Sequence, residues 1–109
     1  MTHKGNSIYA QIPSAVKDKE IFEELLKHDN IRIERICSSG QVSPEGFWYD
    51  QDENEWVIVL QGNAIIEFAD KRRSELSKGD YIFLPSHNKH RVAYTSEKPE
   101  CIWLAIFWK

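Results

Sequence analysis

Cysteine is scarce: Cys37 and Cys101 are the only two in 109 residues. Two are too few for a disulfide framework, and no CxxC pair of the zinc-binding kind exists, so a reduced, cytoplasmic protein is expected. Long apolar runs are missing as well. None approaches the roughly 18 residues of a membrane span, and Met1-Thr2-His3-Lys4-Gly5-Asn6 lacks the apolar stretch of a secretion signal. There is no internal repeat, linker or low-complexity segment. Basic charge is absent from one long stretch. Between residues 36 and 70 there is no Lys or Arg, while Glu45, Asp50, Asp52, Glu53, Glu55, Glu67 and Asp70 all fall there. The last third, residues 71–109, is basic, but the formal net charge is -3, and neither nucleic acid nor a membrane surface is expected as a partner.

What is present points to one folded domain spanning 1–109. At this length roughly two thirds of the unfolded surface can be buried, and a composition of 41% hydrophobic and 28% charged residues is globular. Residues 1–30 read as an arm and a helix, and 31–109 as a β-barrel. In the arm, Ile21, Phe22, Leu25 and Leu26 lie at helical spacing, which predicts one short amphipathic helix over Lys17–His28. Everything after Asp29-Asn30 reads as strand. Ile31 and Ile33 alternate with Arg32 and Glu34, and Phe47-Trp48-Tyr49 opens a second strand. Glu55–Gln61 is apolar on both faces and should be buried. Gly62-Asn63 turns it into a hairpin partner over Ala64–Ala69. Shorter strands follow near Arg73–Leu76, Tyr81–Leu84 and His90–Tyr94, and the chain closes on Cys101–Trp108. Seven to nine short strands with regular turn signals predict an all-β sandwich or barrel, with room for one ligand at its mouth.

Two spacings in this β region carry more. Gly46 is followed by Glu55 and then, after six residues, by Gly62; later Gly79-Asp80 is followed by Pro85 and by His90. The pattern resembles the two motifs of the cupin family, over roughly residues 40–107. The resemblance implies a small β-barrel or jelly roll in which an HxH pair, a Glu and a second-motif His hold a metal inside the barrel. Here Glu55 and His90 match, but the HxH positions are filled by Trp48 and Asp50 with the commoner spacing, or by Tyr49 and Gln51 with the shorter one. Neither pair contains a histidine. The glycine that usually follows the motif-two proline is replaced by His87.

The resemblance therefore implies a candidate metal set of Asp50, Glu55 and His90, whose oxygen and imidazole donors suit zinc, manganese, iron or nickel. Trp48, Tyr49, Gln51 and His87 are candidate ligand-pocket residues, while Asp52 and Glu53 read as a solvated loop. Carboxylates crowded this closely would raise at least one pKa unless a cation is present. Two functions remain open: a metal-dependent enzyme acting on a small molecule, or a non-enzymatic module that binds a small ligand and has lost its metal. The last strand, apolar on both faces, needs cover on both, and a homodimer is the expected answer.

Overall fold

Alternating burial along the strands, rather than continuous burial, sets the architecture. The structure, a computed structural model, describes residues 2–109. A short 3-10 turn, Ser14–Lys17, precedes eight strands: β1 (Ile21–His28), β2 (Ile31–Ser38), β3 (Asn54–Gln61), β4 (Asn63–Phe68), β5 (Arg73–Ser77), β6 (Tyr81–Leu84), β7 (His90–Thr95) and β8 (Cys101–Trp108). They form two antiparallel sheets, β1-β2-β8-β3-β6 and β5-β4-β7. Among the described residues no helix is long and apolar enough to cross a membrane.

Three expectations are corrected. The predicted helix over Lys17–His28 is strand β1, paired antiparallel to β2, and only the single turn before it is helical. The register shifts between Glu24 and Leu26. Phe22 is thus paired with Ile36 on the inner face, whereas Leu26 is paired with Ile33 on the outer face. A bulge that swaps faces in mid-strand spaces apolar residues as a helix would. Phe47-Trp48-Tyr49 is not a strand; Tyr49 alone forms an isolated bridge, to His90. Nor do β3 and β4 form a hairpin. β3 pairs with β6 and β8, and β4 with β5 and β7, so the chain changes sheets at Gly62. Gly62 adopts φ 77°, and an added Cβ would overlap Ser96 Oγ and lie 3.0 Å from the Glu100 carbonyl oxygen.

The core lies between the sheets. Val57, Val59, Trp103, Ala105 and Phe107 meet Ala64, Ile66, Phe68 and Leu76 there, each large aliphatic contributing on the order of 1.5–3 kcal/mol. A second cluster sits on the outer face of the five-stranded sheet, where Val16 covers Cys37 and Ile102, flanked by Ile12, Ile21 and Leu60. Arg35 ties the arm down. Its guanidinium donates to Glu23 Oε1 (2.8 Å) and to the carbonyls of Ile8 (3.1 Å), Ala10 (2.6 Å) and Gln11 (3.3 Å). Cys37 and Cys101 are both free and buried, in different clusters. Burial pushes both thiols up, Cys101 to about 12, so neither is an activated nucleophile.

The arm covers part of that outer face only. Beyond it, the register aligns Leu26, Ile33, Ile106, Trp56 and Phe83 in one row across all five strands. Leu26 and Phe83 at its two ends are each 51% exposed.

Candidate functional site

The inner face of the five-stranded sheet turns polar at one end. There β3 begins, and Glu55, opposite Leu84 on β6 and Phe107 on β8, points between the sheets and is 8% exposed. His90 begins β7 and is 5% exposed. The loop before β3 is fastened to it by two backbone hydrogen bonds, Tyr49 N–H to the His90 carbonyl (2.7 Å) and His90 N–H to the Tyr49 carbonyl (3.2 Å). This bridge fixes the loop's register. Tyr49 and Gln51 line the cavity, whereas neither Trp48 nor Asp50 does.

The cavity has a volume of about 80 Å³. Its polar groups are Tyr49, Gln51, Glu55, His90 and Glu20; Phe22, Trp103 and Phe107 supply aromatic walls, and aliphatic side chains the rest. No Lys or Arg lines it. The tyrosine ring stacks on the His90 imidazole with centroids 5.4 Å apart. Glu55 Oε1 accepts a hydrogen bond from Gln51 Nε2 at 3.3 Å.

The electrostatics follow from burial. Desolvation raises Glu55 to about 7; the Gln51 hydrogen bond and Arg32 oppose the rise, and Glu34 and Glu53 add to it. Burial also pulls His90 below its ordinary value, so the imidazole is neutral. Its Nδ1 lies 2.8 Å from the Asn88 carbonyl oxygen, which can only accept. The proton is therefore on Nδ1, and Nε2 presents a lone pair. That Nε2 lies 4.0 Å from Glu55 Oε1, too far for a direct hydrogen bond. Glu20, whose Oε2 accepts the Ser38 hydroxyl, is raised by burial as well. Tyr49 is raised by burial, and the carboxyls of Glu20 and Glu55 reinforce this.

Of the expected metal set Asp50, Glu55 and His90, the structure brings the last two together. Asp50 is outside, its Oδ1 2.7 Å from His87 Nδ1, while His87 Nε2 lies 3.4 Å from Asp52 Oδ1. His87 is thus a surface residue that holds the Asp50–Asp52 loop, aided by its own N–H to the Gln51 carbonyl (2.8 Å). Glu53 is not simply solvated: Arg32 binds it at 2.9 Å and Glu34 at 2.8 Å. Among the described residues no group of three or more His, Cys, Asp or Glu side chains could hold a metal ion. One carboxyl and one imidazole, with an amide and a phenol where the HxH pair would stand, do not fit a resident transition metal. Glu20 and Phe22 escaped the sequence reading because their segment looked helical. Strand alternation from Ile31 backwards, allowing one bulge, was the signal that could have placed them.

A model of the cupin domain matches residues 38–107. No curated protein matches the chain. Among solved structures, a putative mannose-6-phosphate isomerase from Ralstonia eutropha JMP134 is 40% identical, with a TM-score of 0.89 over 98% of this chain and 99% of that one. A cupin superfamily protein from Desulfitobacterium hafniense DCB-2 is 20% identical, with a TM-score of 0.71 over 84% of this chain and 78% of that one. An RmlC-like cupin from Desulfovibrio desulfuricans is 14% identical, with a TM-score of 0.72 over 98% and 97%. The last two speak to the fold alone.

Proposed function

The chain belongs to the cupin family, and from its unusual first motif we propose that its barrel binds a small molecule directly through protein side chains, without a resident metal. The observation that carries this reading is the pairing of Gln51 with Glu55. At the positions where the family's HxH pair would aim two imidazoles at a metal, this chain has Tyr49 and Gln51. Both take part in a protein-only network: the phenol ring stacks on His90, and the amide hydrogen-bonds Glu55. A small apolar pocket with a few converging polar groups is what a ligand site of this kind requires.

The name of the Ralstonia relative raises a second candidate, isomerisation of a sugar phosphate. A phosphate ester is held best by cationic groups, and the cavity lining has two carboxyls and no Lys or Arg. We therefore expect no turnover of mannose 6-phosphate.

Metal analysis of protein purified without chelator tests the main reading. Substoichiometric transition metal, with thermal stability unchanged by EDTA, is the expected result. A stoichiometric metal that is lost in both Glu55→Gln and His90→Ala would overturn it.

The partner we propose is a second copy of the chain. The row from Leu26 to Phe83 crosses the whole sheet, and its central members are only half-buried. An apolar face of that extent in a monomer marks an interface, and an uncharged row can meet its own copy in the isologous contact of a two-fold dimer.

A further inference from the structure

Two polar groups of the cavity converge as acceptors. Glu55 offers a carboxyl, and His90, its proton committed to the Asn88 carbonyl, offers only a lone pair at Nε2. The two lie 4.0 Å apart, a separation that one N–H-bearing head group can bridge with a hydrogen bond to each. Glu20 adds a second carboxyl on the wall. No Lys or Arg inside the cavity balances them. Arg32, whose charge acts on Glu55, sits over the Phe107 ring with its guanidinium carbon 4.3 Å from the centroid, and Glu34 and Glu53 already engage it. The remaining walls include the rings of Phe22, Tyr49, Trp103 and Phe107. Ring faces attract cations and repel anions.

From this juxtaposition we infer that the cavity takes a small organic cation, a primary alkylammonium whose head is held by Glu55 and His90 and whose short apolar body packs on the aromatic walls. The inference rests on the metal-free reading above and names the ligand class for it. An ammonium has three donors and no acceptor, which matches the acceptors that Glu55 and His90 present side by side. A carboxylate or phosphate ligand would instead meet two acidic groups without a counter-charge, an expensive arrangement in a desolvated site. At about 80 Å³ the space accepts a body of a few carbon atoms. A longer ligand would have to extend past Phe22, which is 54% exposed.

Titration calorimetry in EDTA near neutral pH, with isobutylamine, isobutanol, isobutyrate and mannose 6-phosphate as probes, tests the ligand class. Isobutylammonium should bind at least about tenfold more tightly than the isosteric alcohol, as expected for a charge-assisted contact in a desolvated site. Neither anion should bind measurably. Glu55→Gln keeps the shape and should bring amine and alcohol to similar affinities; Glu20→Gln should reduce the preference without abolishing it. If isobutanol or either anion binds the wild-type protein as tightly as the amine, or if no probe binds, the inference is overturned. The wild-type series alone decides this should a variant fail to fold. The metal-free reading stands or falls separately, on metal content and the EDTA control.

Discussion

Glu55 is a carboxyl group held where ionisation is costly, and stability should register it. Its value is raised from 4.5 to about 7 by burial, in the company of Gln51, Glu34, Arg32 and Glu53, with His90 neutral across the cavity. An acid of this kind binds its proton more tightly folded than unfolded. Its cost to the fold is absent below pH 4.5, grows as pH rises to about 7, and is constant beyond. Glu55→Gln carries no such cost. Urea unfolding should show the variant gaining on the wild type between pH 5 and 8, by at most about 3 kcal/mol; parallel pH profiles would contradict the burial of an ionisable group here. Two of the three motif glycines make a second residue-scale comparison. Gly62 and Gly79 both adopt positive φ, but a Cβ at Gly79 meets nothing within 4 Å, whereas at Gly62 it overlaps Ser96. Gly79→Ala should cost about 1–2 kcal/mol for the backbone alone, and Gly62→Ala clearly more, read as the difference in denaturation midpoints. Glu55, His90 and Gly62 could be picked out in the sequence by their spacing. Which of Trp48/Asp50 and Tyr49/Gln51 faces inward could not. That choice is made by the backbone bridge between Tyr49 and His90, residues far apart in the chain, and a shift of one residue exchanges every side chain between faces.

At the scale of elements, the arm depends on Arg35. Its side chain is 6% exposed and serves one carboxylate and three backbone carbonyls. Arg35→Ala would leave those carbonyls without their donor, at a cost of roughly 3 kcal/mol. Residues 8–16 should then lose protection in hydrogen exchange while β3 and β8 retain theirs. Uniform loss across the sheet would instead make Arg35 part of the global core. The strands β6 and β8 were legible to their end residues, because Pro85 stops one and uninterrupted apolar residues mark the other. Strand β1 was not, since its bulge between Glu24 and Leu26 replaces a period of two with a spacing of four. The supposed β3–β4 hairpin failed for a related reason. A glycine-containing turn signals a change of direction, but whether the chain doubles back or crosses to the opposite sheet depends on what waits on each side. At Gly62 that is Ser96 and Glu100, contributed by a distant loop.

For the whole molecule, the uncovered row on the five-stranded sheet predicts self-association. Sedimentation analysis should find a dimer. Leu26→Asp and Phe83→Asp each place charge at an exposed end of the row, away from the inner core, and together should weaken association at least about a hundredfold, in the range of interface hot spots. A wild-type monomer at micromolar concentration would refute the proposed partner. Strand order has another consequence, for how the chain comes to be folded. β8 comes last of the eight described strands in chain order, yet it lies in the middle of its sheet, with β2 on one side and β3 on the other. During translation β1–β2 can pair, and so can β3–β6, but no strand pairing joins the two halves until residues 101–108 leave the ribosome. Such non-local closure gives a high contact order and slow folding. Until it happens, Trp56, Ile33 and the inner-face valines of β3 stand on open edges, in the form in which nascent chains are captured by chaperones or by one another.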